Sequence, residues 1–530
     1  MPAVHPRALA LLALLALPLA LAVASCGGSP PMPPTTAAPP TPPPPLASSA
    51  SSAAPPAAPD VSGIWLGTIQ AGAKGLRIQL RLDLTKTPAA CSLDSLDQHA
   101  MGIPCSDVAM NGTTLTLQVP PVHGSLTGEV SADGNTITAS WTQGGPALPL
   151  VLTRQASAIE AAKAALDAAM PPVNLAHLKD VLDKDLAAAL ASGFLAAGTD
   201  AGVTIGVVQH GVRRVLSYGA TKPDSLFEIG SITKTFTGLI LAQMVEQKKA
   251  RLDEPVRALL PAGTVAAPAS GPEITLLDLS AQRSGLPRMP DNFRPTDPNN
   301  PYVDYDKTLL YAFIASHGVA MPAKPEFVYS NLGVGLLGQA LAERAGTTYE
   351  ALVRKEITGP LGMRETVATI PPAMRARFAQ GHDADHKPVP AWDQNALAGA
   401  GAVRSTAADM LTYLEAQLHP DHLPPSARST AEGKTLGAAI TASHVPQGEA
   451  MGGMHIALNW LRIDETGSFW HNGGTAGHTA FALFNPDLDF AVVALCNTGA
   501  GGRMFADDLG AHIAQRLSGR PAISLGPLPQ

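Results

Sequence analysis

The stretch Phe227-Glu228-Ile229-Gly230-Ser231-Ile232-Thr233-Lys234-Thr235-Phe236-Thr237 decides how the rest of the chain is read. Ser231 and Lys234 stand three residues apart, and the run that follows, Phe236 to Val245, is apolar at helical spacing. The spacing predicts both side chains on one face of a helix's first turn. A Ser hydroxyl needs a base before it becomes a nucleophile, and a Lys one turn away reaches it. The positive end of the helix favours negative charge on the attacking oxygen. A backbone N–H at that end can donate to a developing oxyanion. Alone, Ser-x-x-Lys is a weak signal, because any helix that starts with a capping Ser produces it.

Two downstream segments strengthen it. Tyr329-Ser330-Asn331-Leu332-Gly333 precedes a long apolar helical pattern, Val334 to Leu341. Phe469-Trp470-His471-Asn472-Gly473-Gly474 precedes Thr475-Ala476-Gly477-His478, then two strand patterns, Phe481–Phe484 and Phe490–Cys496. In this order and spacing the three motifs resemble the serine β-lactamase and penicillin-binding superfamily, specifically its class C-like branch, which also holds D-amino-acid peptidases and esterases. The resemblance covers about Asp180 to Leu517. It includes the phrases Gln282–Pro287 and Gly399–Asp409, the latter with Val403-Arg404-Ser405-Thr406.

The resemblance implies an α/β (α+β) fold of the β-lactamase/transpeptidase kind. An antiparallel sheet built from both ends of the region packs against terminal helices, and a helical lobe fills the middle. It also implies roles. Ser231 is the nucleophile that forms an acyl-enzyme, and Lys234 orients and helps deprotonate it. Tyr329 is the general base and acid. A phenol titrates near 10, so it needs a nearby Lys⁺ to favour phenolate. Asn331 donates to the substrate's acyl amide. The N–H groups of Ser231 and Gly474 form the oxyanion hole, beside Gly473 and His471. No cofactor and no metal is required. One position departs from the β-lactamase pattern: His471-Asn472-Gly473 stands where those enzymes carry Lys-Thr-Gly. A His is mostly neutral near pH 7, which speaks against strong β-lactamase activity. A His is frequent there in the esterase and peptidase relatives.

The chain has 530 residues, 45% of them apolar and 15% charged, with a formal charge of −7. A mildly acidic chain carries no electrostatic footprint for nucleic acid, and that class is set aside. Pro 49 and Gly 49 are both high and unevenly spread. Between Arg7 and Asp60 there is no Asp, Glu, Lys or Arg. Residues 1–25 read as a signal peptide. The end of that segment, Val23-Ala24-Ser25-Cys26-Gly27, resembles a bacterial lipoprotein box, with Cys26 the lipidated first residue of the mature chain. An ordinary secretory signal, or an uncleaved anchor interrupted by Pro18, is the alternative. Residues 26–59 are mostly Pro, Ala, Ser and Thr and read as a semi-extended arm. At ~3.1 Å per residue, the stretch 29–59 reaches at most roughly 95 Å. The expected place is therefore the cell envelope, periplasmic and anchored to the outer membrane if there is one.

Residues 60–155 change to period two. Leu76, Ile78, Leu80, Leu82 and Leu84 alternate with polar residues, as do Leu115, Leu117 and Val119. Asn111-Gly112 and Asp133-Gly134 are hairpin turn signals. About six short strands are expected, as a small antiparallel barrel or curled sheet. Cys91 and Cys105 lie here, and in an exported protein a nearby pair is expected to be a disulfide. Cys496 sits in an apolar run and reads as a buried, inert thiol. The catalytic region is expected over 156–520.

Other attractive residues carry less. His382-Asp383-Ala384-Asp385-His386 looks metal-like but lies among polar residues and prolines, and is expected to be a solvated loop. His419 and His422 read the same way. Gly399-Ala400-Gly401 is too short for a phosphate loop. Function thus points to an envelope serine hydrolase acting on β-lactams, D-alanyl peptides of the wall, or small esters and amides. A non-turnover penicillin-binding sensor or wall-binding protein is the rival. A targeting role for the β domain is a third reading.

Overall fold

The computed structural model describes residues 59–520, except 72–73, 85, 87–88, 96–99, 155–172, 188–199, 384 and 500–504, and also describes 522–523 and 525. The expected signal, Cys26 and the arm up to residue 58 lie outside the described residues. Among the described residues no helix is long and apolar enough to cross a membrane.

The first folded part is a meander of strands β1 (Gly63–Ala71), β2 (Lys74–Asp83), β3 (Ala90–Ser95), β4 (Ala100–Pro104), β5 (Ser106–Asn111), β6 (Thr114–Val119), β7 (Gly124–Val130), β8 (Thr136–Gln143) and β9 (Leu148–Arg154). They form one antiparallel sheet in the order β4-β3-β2-β1-β9-β8-β7-β6-β5, so the first and last strands pair in the middle. The sheet has nine strands rather than the expected six. In sequence, the additional strands β3, β4 and β5 lack a clean apolar–polar alternation. In β3, Leu93, Asp94 and Ser95 are all buried, because Asp94 accepts from Gln79 Nε2 at 3.0 Å and from Arg81 Nε at 3.3 Å. The inward residues Trp65, Leu80, Leu115, Leu126, Ile137 and Leu152 share one core. Cys91 and Cys105 form a disulfide with Cα atoms 5.2 Å apart, tying β3 to the residue between β4 and β5. β1 and β9 pair only from Trp65↔Arg154 to Gly67↔Leu152. Beside that short seam lies an open groove of about 820 Å³, lined by residues that include Leu66, Thr68, Arg77, Pro149 and Val151.

The second part starts with α1 (Leu178–Asp185), then the hairpin β10 (Gly202–Gln209) and β11 (Val212–Gly219). A two-residue strand β12 (Phe227–Glu228) leads into α2 (Thr233–Glu246). The middle of the chain is helical: α3 (Leu276–Ser280), α4 (Lys307–His317), α5 (Asn331–Ala345), α6 (Ala407–Leu418) and α7 (Gly433–Ser443). It is broken by the short strands β13 (Gly381–His382), β14 (Pro388–Val389) and β15 (Arg404–Ser405). Then come β16 (Gly448–Glu449), β17 (His455–Ile456), β18 (Leu461–Ile463), β19 (Ser468–Gly474), β20 (Thr479–Asn485), β21 (Phe490–Cys496) and α8 (Phe505–Leu517). The antiparallel sheet runs β11-β10-β21-β20-β19-β18-β17-β16, so its early hairpin sits against its last strand.

Both faces of this sheet are covered, which is why β20 and β21 are buried throughout and their centres run apolar rather than alternating. Phe481, Leu483, Val492, Ala494 and Cys496 face one core with Leu178, Leu182, Leu509 and Ile513 of the terminal helices. Ala480, Ala482, Phe484, Val493 and Leu495 face the other, with Phe236, Leu411 and Leu414 of the helical lobe. Asp185 ties the terminal helices together, accepting from Arg516 Nη2 at 2.7 Å and lying 2.8 Å from His512 Nε2.

One expectation is overturned. His382 is not in a solvated loop: it is buried in β13, and its backbone N–H donates to Asn497 O at 3.0 Å. The polar residues that suggested solvent, Asp385 and Lys387, belong to the exposed turn of the β13–β14 hairpin.

Replacing Cys91 and Cys105 together by Ala is expected to cost about 3 kcal/mol of β-domain stability, the loop-closure value for a ring of this size. Urea unfolding followed by tryptophan emission checks this, since Trp65 and Trp141 sit in that core. Equal midpoints for the oxidised and cysteine-free proteins would show that the bridge adds nothing.

Candidate active site

Gly230 turns the chain with φ +49°, and a 3-10 turn over Gly230–Ile232 runs directly into α2. Ser231 therefore sits in the tight turn before the helix rather than in its first α-turn. Every residue from Ser225 to Met244 is buried except Ser231. Such a helix must satisfy each polar side chain internally. Thr233 Oγ1 accepts from Val403 N at 3.1 Å, and Thr237 Oγ1 donates to Gly399 O at 2.7 Å. Tyr413 OH donates to Thr235 Oγ1 at 3.1 Å.

Lys234 is fully buried, and its Nζ donates to Ser231 Oγ and to Ala400 O, each at 2.8 Å. Burial, with Arg288 adding to it, holds the amine well below the ordinary lysine value. The Gly399-Ala400-Gly401 segment is thus not idle: its carbonyls hold both Lys234 and Thr237.

Tyr329 stands just before α5. Ser330 caps that helix, accepting from Gly333 N at 2.8 Å while its own hydroxyl donates to Pro287 O at 2.7 Å. Buried Gln282 holds the turn from behind: its Oε1 accepts from Ser330 N and its carbonyl from Val328 N, both at 2.7 Å. So fixed, Tyr329 stands close enough to Ser231 for the serine to draw its proton affinity down, and Lys234 Nζ lies 4.9 Å from the ring centroid. Arg288 lies 5.0 Å from the same centroid. Burial pushes the phenol up to about 12, against the pull of Ser231 and Arg288. The expected phenolate is therefore disfavoured in the free site. The lowered proton affinity falls on Lys234 instead. Asn331, the first residue of α5, points its amide at Met289 Sδ, 3.8 Å away.

β19 closes the site from the other side. A Cβ on Gly473 would lie 2.0 Å from Ile229 O and 2.9 Å from Ser231 N, and one on Gly230 would lie 2.7 Å from Gly474 N. Only glycines allow the strand and the nucleophile turn to approach this closely. His471 is buried, with Nδ1 2.6 Å from Asn472 O. Burial and the neighbouring Lys234 drive it down to about 3, so the imidazole is neutral at any working pH. Asn472 Nδ2 donates to Asp507 of α8 at 2.5 Å, and burial raises that carboxyl to about 7.

A buried ionic cluster fixes β12, the strand that leads to Ser231. Glu228 accepts from Thr475 Oγ1 at 2.8 Å and Trp392 N at 2.8 Å, and meets Arg404 Nη2 at 3.2 Å and His478 Nδ1 at 3.3 Å. Burial alone would raise Glu228, but His478, Arg404 and Thr475 together hold it below the usual carboxylate range. Ile229 N also donates to Val403 O. Lys234, Tyr329, His471, Gly473 and Gly474 thus lie around Ser231 and its turn, while the Asn331 amide is seen only against Met289. Sequence reasoning did not single out Gln282, Arg288, Glu228 or His478 for a role, although all lie in or beside the quoted motifs.

This site, a Ser–Lys pair at a helix start between a helical lobe and an antiparallel sheet, is that of a serine hydrolase. The β-lactamase family model matches residues 187–516, and the chain belongs to that family. A β-lactamase of Pseudomonas fluorescens is 28% identical over 273 residues, covering 49% of this chain and 69% of that protein. The D-alanyl-D-alanine-carboxypeptidase/endopeptidase AmpH of Escherichia coli K12 is 29% identical over 228 residues, and the match spans 42% of this chain and 58% of AmpH. Penicillin-binding protein 4 of Amycolatopsis lactamdurans is 26% identical over 60% of this chain and 79% of its own length. Among solved structures, a class C β-lactamase superposes with a TM-score of 0.52 at 22% identity, covering 62% of this chain and 93% of its own.

Gly473→Ala is expected to push β19 off the nucleophile turn and slow ester cleavage by about 10²–10³-fold, the scale of losing an oxyanion donor. Steady-state rates on a nitrophenyl ester check it. Wild-type rates would mean that the close approach is not needed.

Proposed function

We propose that the chain is an envelope serine hydrolase that cleaves acyl bonds through an acyl-enzyme on Ser231. The observation that carries this reading is the buried Lys234 amine, 2.8 Å from the one half-buried hydroxyl of an otherwise buried run. With its proton affinity depressed, Lys234 exists in part as the free amine and accepts the Ser231 proton during attack. Tyr329, kept neutral, donates toward Ser231 Oγ and later passes a proton to the leaving group. The N–H groups of Ser231 and Gly474 take the oxyanion. Asn331 holds the acyl amide. Water then attacks the ester carbonyl, the Ser231 Oγ–acyl bond breaks, and the serine recovers its proton.

The substrate class is small acyl compounds: D-alanyl peptides, esters and β-lactams. The match to AmpH supports the peptide side, and that to penicillin-binding protein 4 the β-lactam side. Neutral, buried His471 supports a site less devoted to β-lactams than the β-lactamase relatives. On the sequence reading, lipidation at Cys26 and the arm hold the enzyme at the envelope, facing wall-derived substrate.

A chromogenic cephalosporin, a D-Ala-D-Ala peptide and a short-chain nitrophenyl ester, each with Ser231→Ala as control, test the reading. Turnover by wild type and its loss in Ser231→Ala is the expected result. Full turnover by Ser231→Ala would overturn the mechanism, and a single burst without turnover would favour the sensor.

The pH profile gives a second test. Lys234 works as the free amine, so kcat/KM should rise with pH along a limb set well below the ordinary lysine value. Lys234→Arg keeps the charge but cannot release it, so acylation should fall by at least about 10²-fold. A variant that kept wild-type rates would remove Lys234 from the base's role.

A further inference from the structure

Beside the site, the guanidinium of Arg288 rests over the face of the Tyr329 ring. Arg288 is exposed, and no described residue makes a hydrogen bond or ion pair with its guanidinium. Asp291, three residues on, is not paired with it. The backbone beneath is held on two sides. Arg288 O accepts from Asn331 N at 3.1 Å and Leu332 N at 3.2 Å, and Pro287 O accepts from Ser330 Oγ. The Cα position is therefore locked to the turn that presents Tyr329, while the guanidinium lies over the Tyr329 ring at 5.0 Å with its N–H donors unclaimed by any described residue. Its charge already bears on Lys234, Tyr329 and Tyr302. The other positive candidates cannot serve. Lys234 is buried and engaged on both sides, and His471 is buried and neutral.

We propose that Arg288 recognises a carboxylate on the substrate, close to the scissile acyl bond, and so sets the enzyme's preference for anionic substrates. This rests on the hydrolase reading and names its substrate class. An exposed guanidinium offers paired N–H donors in a planar fork, which suits a carboxylate better than it suits a neutral group. The neutral hydroxyls of Tyr302 and Tyr329 lie beside it and add no negative charge to compete. A residue that holds a substrate group without touching the reacting bond sets specificity rather than chemistry.

The test uses the full chain and two nitrophenyl esters with the same acyl group. One acyl group ends in a free carboxylate and the other in a methyl-capped one, with Ser231→Ala rates subtracted. Wild type is expected to prefer the free carboxylate. Arg288→Gln should lower the ratio of the two kcat/KM values by roughly 10–100-fold, mostly through KM, the scale of losing hydrogen bonds to a charged group. Arg288→Lys should keep part of the preference, since it retains a point charge. Added salt should shrink the wild-type ratio. If Arg288→Gln lowers both substrates by one factor, Arg288 merely supports the Tyr329 turn and the proposal is wrong. An unchanged ratio also overturns it, while capped-ester turnover leaves the hydrolase reading standing. If wild type cleaves neither ester, nor the peptide or cephalosporin above, the hydrolase reading fails and takes this one with it.

Discussion

A lysine amine sealed from water is the constraint on which the rest depends. An ammonium is strongly hydrated, and removing that water disfavours the charged form. Lys234 is fully buried and has two oxygen partners, Ser231 Oγ and Ala400 O. Keeping it there requires α2 to be enclosed on every side. The threonines of α2 are consequently spoken for, Gly399 O and Tyr413 among their partners. Gly238 lets Leu458 O come within 2.1 Å of where a Cβ would sit. The lobe around α2 serves as a dry box for one amine.

The second requirement is closeness between segments far apart in sequence. The glycines at 230 and 473 let two backbones nearly touch. The Glu228 cluster holds this meeting from below, joining β12 to β15 and to the turn after β19. A buried carboxylate with an Arg, a His and a Thr around it is costly to leave half-made. Its strength lies in fixing where things go rather than in net stability.

Much of this was legible in the chain, and the exceptions have physical causes. Strands such as β2 and β6 announce themselves by alternation, and β20 and β21 by unbroken apolar runs. β3 hides because Asp94 faces inward to meet Gln79 and Arg81. His382 looked solvated because its neighbours are polar, and only Asn497, 115 residues away, shows that it is buried. The three motifs that meet at Ser231 were readable as motifs. The pairing of Glu228 with Arg404 and His478 was not, since sequence separations of 176 and 250 leave no local trace. The balance between Lys234 and Tyr329 was also out of reach, because it depends on how completely each is dried.

The placing of β19 between β18 and β20 has a consequence for how the enzyme comes into being. The nucleophile, its lysine and its tyrosine are all made well before Gly474, which lies almost half the chain after Gly230. Contacts of such range form late, because the intervening loop must close first. A nascent or truncated chain ending before β19 would carry a complete Ser–Lys–Tyr set but only one of the two backbone N–H groups proposed to receive the oxyanion. A strand made long after Ser231 thus completes the site, so the reacting groups exist in the chain before the backbone that closes around them.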